Sequence, residues 1–278
     1  MVLEQIQFAL ENVFFRGAAL HHTVSARLLG AGKIAVLVNG SPKTGTTWVL
    51  KLIASLPGYR PAGNLRGEIE HYRRAAPGDV FHGHDFFSAD LQTILDAAGI
   101  RRVLTVRDPR DQTVSRMFHL RREKRHPWHD QFVRLDDDDA LLACIEGRDD
   151  ETLPGVRAMM RLTESWQIHD PVVTVVRYED LLENPECNLR QVFERLGIPV
   201  SDALLRAIVA RNRFRRLTVG RRFWQKSRTH GESDERSHYR KGIRGDWMNH
   251  FRLRHKERFK QLAGETLIAW GYESDMNW

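Results

Sequence analysis

Three short β-rich runs divide the chain: Ile34–Val38, Val103–Val106 behind Arg102, and Val172–Val176, the last two each holding one threonine. Runs of this length, rich in Val and Ile, predict strands covered on both faces. Asp79–His84 predicts a further short strand. Between these lie helical stretches with recognisable ends. Trp48–Leu56 follows a glycine loop, Ser88 caps Ala89–Ala98 with Gly99 as the stop, and Pro109 suits a first helical turn. Asp136–Asp139 precedes Ala140–Ile145, an acidic start favoured by the helix dipole. Further helices are expected over Pro154–His169, from Asn184-Pro185 to Gly197, from Asp202, and over about Asn249–Leu262. Residues 1–30 place Phe8, Leu10, Val13, Phe14, Leu20 and Val24 among charged positions, the pattern of an amphipathic helix. Pro57–Gly67 and residues 122–135 read as irregular. Strands alternating with helices predict an α/β fold, a central parallel sheet flanked by helices in three layers. Ligands then belong at the carboxyl ends of the strands.

The 278 residues, 41% apolar, suit one domain spanning 1–278, with 1–32 as a helical extension. No run is long enough to span a membrane, and residues 1–30 lack the pattern of a secretory signal. The extension is expected to pack on the domain or on a second subunit, making a homodimer an open expectation, with contact to a membrane surface as the alternative. Two cysteines, Cys144 and Cys187, have neither zinc-site nor disulfide spacing, so a cytoplasmic location is expected. The net charge of +7 is regional: residues 201–260 hold 18 Lys and Arg against 6 Asp and Glu, a net +12. Such a region suits nucleic acid, an acidic membrane or one polyanionic small molecule.

The candidate chemistry begins at Gly40-Ser-Pro-Lys-Thr-Gly-Thr-Thr-Trp48, a strand-to-helix loop suited to phosphate. Its glycine spacing matches a Walker A loop, but Thr46 stands where that motif has lysine, and Lys43 sits within the loop. Pro42–Trp48 resembles the 5′-phosphosulfate loop of sulfotransferases that use 3′-phosphoadenosine 5′-phosphosulfate (PAPS) and release 3′-phosphoadenosine 5′-phosphate (PAP). Two later motifs carry the same resemblance. Arg107-Asp-Pro-Arg-Asp-Gln-Thr-Val-Ser115 follows a strand, and Arg240-Lys-Gly-Ile-Arg-Gly-Asp-Trp-Met-Asn-His-Phe251 matches the family's pattern at each defined position. The resemblance covers about residues 33–255 and implies a P-loop-like fold.

The resemblance implies that Lys43, Thr44, Gly45, Thr46 and Thr47, in the loop that ends at Trp48, hold the 5′-phosphosulfate end. It assigns Arg107, Ser115, Arg240, Lys241 and Gly242 to the 3′-phosphate. Trp48, Tyr178 and Phe214 are candidates for adenine, although each also suits a core position, and Asn212-Arg213-Phe214 departs from the family's Thr-Ser-Phe. Arg107 could instead pair with Asp108 or Asp111.

For catalysis, Lys43 is expected to neutralise the leaving phosphate and His84 to act as general base. Family members commonly carry a histidine there, often followed by Leu-Pro, where this chain has Asp85-Phe86. His82 is the competitor on the same strand face. The His82–His84 pair could form half a metal site, but no third ligand is evident and no metal is expected. A nucleotide kinase and a non-enzymatic nucleic-acid-binding protein remain alternatives. The missing Gly-Lys-[Ser/Thr] opposes the first, and the phosphate-loop context of the basic residues opposes the second. The acceptor is expected to be a small molecule or carbohydrate bearing a hydroxyl, less readily an amine. Tyr59, Tyr72, Trp128, Phe132, Phe223 and Trp224 are expected around it, beneath a mobile lid over 217–239.

Overall fold

The computed structural model describes residues 2–28, 32–64, 68–148, 152–170, 172–218 and 227–278. Five strands form one parallel sheet in the order β2-β3-β1-β4-β5. They are β1 (Val36–Gly40), β2 (Arg60–Asn64), β3 (Asp79–His82), β4 (Arg101–Val106) and β5 (Thr174–Arg177). In β1, Val36, Leu37 and Val38 are all fully buried because the sheet has a core on each side. Val36 and Val38 join one cluster with α2 (Thr46–Ala54), α9 (Pro185–Leu196) and α10 (Asp202–Arg211). Leu37 joins the opposite cluster, with Leu91 and Leu95 of α3 (Ala89–Ala97) and Trp166 of α7 (Val156–His169). This two-sided burial is the reason β1 reads as an unbroken apolar run. Strand β5, at the sheet edge, begins only at Thr174 and alternates buried and half-buried positions instead of being covered on both faces.

A third cluster joins α4 (Pro109–Arg122), α6 (Asp137–Glu146), α7 and α12 (Leu253–Ala269). Several sequence signals act as expected. The Ser88 hydroxyl accepts from Leu91 N at 3.1 Å, and Asp136 Oδ1 accepts from Asp139 N at 2.8 Å. The amphipathic start forms α1 (Val2–Leu28), which packs on α10.

Two stretches expected to be irregular are ordered. Arg60–Asn64 pairs with β3 alone, and His129–Arg134 forms the short helix α5. An edge strand donates on one side only, which accommodates Pro61. The last helix runs to Ala269, seven residues beyond the expected end, because Ala263 and Leu267 extend its buried face. Among the described residues, no helix is long and apolar enough to cross a membrane.

Strand β1 lies between β3 and β4, so the direction of winding reverses beside it. That switch point opens a crevice at the carboxyl ends of the strands. The loop after β1, His84 beyond β3, Arg107 after β4 and Tyr178 after β5 all meet there.

Candidate functional site

These elements surround a cavity of about 270 Å³. Among the described residues lining it, none is acidic. Pro42, Lys43, Gly45, Thr46, Thr47 and Trp48 contribute one wall. Lys43 has a φ of 76°, a left-handed backbone that a side chain rarely adopts, held here by the surrounding loop. The Gln112 amide donates to the Pro42 carbonyl at 2.8 Å, and Arg107 Nη1 donates to the Lys43 carbonyl at 3.3 Å. Gly45, at φ 98°, must lack a side chain: a Cβ would lie 2.8 Å from the Tyr178 ring. Thr46 and Thr47 open α2, where first-turn N–H groups have no intrahelical acceptor.

Arg107 is buried and stacks over the Tyr178 ring at 4.4 Å. Its Nε has no partner among the described residues. The neighbouring carboxylates are engaged elsewhere. Asp108 pairs with Arg110 at 2.8 Å, and Asp111 accepts from Gly245 N at 2.7 Å and Trp247 N at 2.9 Å. Asp111 thereby fixes the third motif against α4. Within that motif Arg240 and Lys241 share the buried Asp246 carboxylate, Lys241 Nζ lying at 2.6 Å. Burial opposes the charge on Asp246. Hydrogen bonds from His250, Lys241, Arg240 and Asn249 outweigh it and hold the carboxyl well below the usual carboxylate range. Gly242 packs on Phe214, where a Cβ would lie 2.4 Å from the ring, and His230 stacks on Phe214 with centroids 4.8 Å apart.

His84 and His82 reach the cavity from β3, their rings 4.9 Å apart. His84 Nδ1 donates to the Gly40 carbonyl at 2.5 Å. A carbonyl only accepts, so this bond fixes the proton on Nδ1 and places the neutral ring's lone pair on Nε2. His82 Nε2 lies 2.7 Å from the Thr46 hydroxyl. The turn carrying His84 is pinned by Asn39, which donates to Asp85 O at 2.8 Å and accepts from Asp85 N at 3.0 Å. The Tyr72 hydroxyl and Trp166 Nε1 bind Asp85 as well, at 2.9 and 2.7 Å.

Charge in the crevice is strongly one-sided. Burial, followed by Arg122, Arg107 and Arg240, brings the Lys43 ammonium down to about 7. Desolvation and the same cationic surroundings hold the His119 and His238 imidazoles well below their usual range. A site of this kind favours anions.

Comparison with known proteins fixes the lineage. A sequence profile of the sulfotransferase domain family matches residues 86–271. The chain belongs to the sulfotransferase family. Sulfotransferase 1A1 of Canis lupus familiaris is 25% identical to it over 256 residues, 81% of this chain and 80% of that protein. Sulfotransferase 6B1 of Danio rerio is 27% identical over 123 residues, which are 41% of this chain and 37% of that protein. The fold is shared with mouse sulfotransferase SULT7A1, solved in complex with PAP, at a TM-score of 0.64 and 20% identity over 84% of each chain.

In this sulfotransferase the three motifs, far apart in sequence, line one cavity, together with Ser115, Tyr178 and Phe214. Thr44 is the exception. Its hydroxyl donates to Ser41 O at 2.7 Å, lies 2.7 Å from Thr105 Oγ1, and clamps the loop to β4 instead of facing the cavity. The aromatic residues expected around the acceptor require correction. Tyr72 and Phe132 are fully buried core residues, Tyr59 packs against the α2 core, and Trp128 bonds Thr152 O at 3.0 Å. None of the four lines the cavity. Phe223 and Trp224, with 219–226 of the expected lid, lie outside the described residues. Sequence reading missed Asn39, Gln112, His119 and His238. For His119 and His238 the nearby histidines His126, His129 and His230 gave a signal, while Asn39 and Gln112 sit inside or beside the first two motifs with nothing to mark their role.

Proposed function

We propose that this sulfotransferase moves the sulfuryl group of PAPS in line to a hydroxyl of a small-molecule or carbohydrate acceptor. His84 takes the acceptor proton, and Lys43 neutralises charge on the leaving phosphate. One observation carries the reading: the Gly40 carbonyl holds His84 Nδ1–H, so Nε2 is the basic nitrogen in the cavity that also holds Lys43. Gly40 begins the phosphate loop, so one peptide ties the base to the loop.

The residues present fit an anionic nucleotide. Among the described residues the lining has no acidic side chain, and the buried Nε atoms of Arg107 and Arg240 have no partner. PAPS supplies an electrophilic sulfur with a phosphate leaving group. Arg107, Ser115, Arg240, Lys241 and Gly242 would hold its 3′-phosphate, and Trp48, Tyr178 and Phe214 its adenine. Thr46 and Thr47 would hold the 5′ end beside Lys43. Thr44 acts one step back, by keeping the loop on β4. The neighbour solved with PAP supports a nucleotide of this kind as the ligand. Cys144 is buried and Cys187 exposed, both as free thiols, which suits a reducing cytoplasm.

The test is acceptor-dependent formation of PAP from PAPS. His84→Ala should lower kcat by about 10²-fold or more while PAP affinity stays within about twofold. A variant that keeps its kcat, or loses PAP affinity in the same proportion, would remove His84 from the base role.

A further inference from the structure

The cavity divides by chemistry. Trp48, Tyr178, Leu182, Phe214, Leu217 and Ile243 provide its apolar wall. Beside Lys43 the lining changes to Pro42, Tyr239 and four imidazoles, those of His82, His84, His119 and His238. Arg122 ties the last two together: Nη2 donates to His119 Nδ1 and Nη1 to the Ser237 carbonyl, each at 2.9 Å. Because Nδ1 accepts, the neutral His119 ring carries its proton on Nε2. Burial, and then the charges of Lys43 and Arg122, disfavour protonation of His119 and His238. His119 therefore offers its Nε2–H to a hydroxyl oxygen, and a neutral His238 ring offers one donor and one acceptor.

Given sulfuryl transfer as the activity, we propose that the acceptor is a polyhydroxylated compound of carbohydrate type, with hydroxyls flanking the reacting one read by His119 and His238. A phenol or sterol ring in this place would bury polar nitrogen atoms without partners. Sites built to bind a hydroxyl reject analogues lacking it by about 10⁴-fold.

The experiment uses the full chain with PAPS and two acceptor sets: methyl glycosides with disaccharides, and 4-nitrophenol with androsterone. The expected result is a kcat/KM at least tenfold higher for the best glycoside. His119→Leu should lower that value about tenfold or more and leave the phenol value unchanged or higher, with the Kd for PAP shifted less than about twofold. His119→Gln, which retains a donor and an acceptor, should recover part of the loss. Preference for the phenol or sterol, an unchanged ratio in His119→Leu, or PAP binding with neither set sulfated would overturn the proposal. Absence of PAP binding would instead remove the sulfotransferase reading on which it rests.

The outer face of α1 carries an independent inference. Ile6, Leu10, Val13, Leu20 and Val24 are 50–68% exposed there, with Gly17 in line between them. Their spacing alternates four and three residues, the seam of a two-helix coiled coil. The opposite face is fixed: Phe8 and Ala18 are buried, Glu11 bonds Arg213 at 2.6 Å, and Asn12 bonds Arg216 at 2.9 Å. With Phe14, the seam exposes about 600 Å² of apolar surface, and two copies together would bury about 1,200 Å², the lower range of stable interfaces. We infer that a second copy of this chain packs along this seam. Light scattering after gel filtration should show a dimer for the wild type and a monomer for Leu10→Glu, whose side chain lies outside the core. A monomeric wild type, an unchanged dimer in the variant, or wild-type binding to phosphatidylserine–phosphatidylcholine vesicles that Leu10→Glu abolishes would overturn it.

Discussion

Lys43 should take up a proton when PAP binds. Its ammonium sits at about 7 because burial comes first and Arg122, Arg107 and Arg240 add repulsion. At that value roughly half of the lysine is charged at pH 7 and roughly a tenth at pH 8. A phosphate placed against the loop reverses the surrounding charge and restores the ammonium. Calorimetric titration with PAP in buffers of different ionisation enthalpy reads the uptake. It should be about 0.5 proton at pH 7 and about 0.9 at pH 8. At pH 8 His119 and His238, already lowered by burial, have no titrating proton left to exchange and a phosphate monoester has lost both protons, so Lys43 dominates the signal. Lys43→Met should bring the uptake close to zero. No uptake by the wild type at pH 8, or equal uptake by the variant, would refute the reasoning. Stability follows from the same shift. The folded lysine loses its proton at lower pH than the unfolded one, so the penalty is full below about pH 7 and disappears above 10.5. Lys43→Met should therefore gain roughly 1–3 kcal/mol at pH 6, after allowance for screening, and the gain should fade between pH 7 and 10.5.

Asp246 is the shared counter-ion of Arg240 and Lys241 at 1% exposure, so Asp246→Asn should lose about 2–4 kcal/mol at pH 7 by urea unfolding. Its lowered carboxyl contributes above about pH 4, so the difference should shrink only as pH falls further. Asn39→Ala frees both backbone groups of Asp85, and steady-state kinetics should show kcat down about 10–100-fold with KM for PAPS unchanged. Gly45→Ala drives a methyl group into Tyr178 at φ 98° and should weaken PAP at least tenfold by calorimetry.

The sheet was legible where both faces of a strand are covered, as at Val36–Val38 and Val103–Val106, because burial on both sides leaves no polar alternation. Strand β2 was not, since Arg60-Pro61-Ala62-Gly63 carries no apolar run and pairs on one side only. Phosphate contacts are legible for a different reason: a strand-to-helix turn concentrates donors in a few consecutive residues. The supports of those contacts are not local. Asn39 meets Asp85 46 residues away, Gln112 meets Pro42 70 residues away, and Asp111 meets Gly245 134 residues away. No spacing rule reaches that far. Tyr72 and Phe132 misled because segments that look polar and irregular still send one aromatic side chain each into the core.

The most direct test of the donor site is calorimetric titration of PAP without magnesium into the wild type and Arg107→Ala, with ATP as the comparison. Arg107 lies between the loop and the third motif, donating to Lys43 O at 3.3 Å and Ile243 O at 3.4 Å. Binding of PAP by the wild type, weakened at least tenfold by the substitution and not matched by ATP, is the predicted result. Equal binding of ATP and PAP, or a Kd for PAP indifferent to Arg107, would contradict a PAPS site.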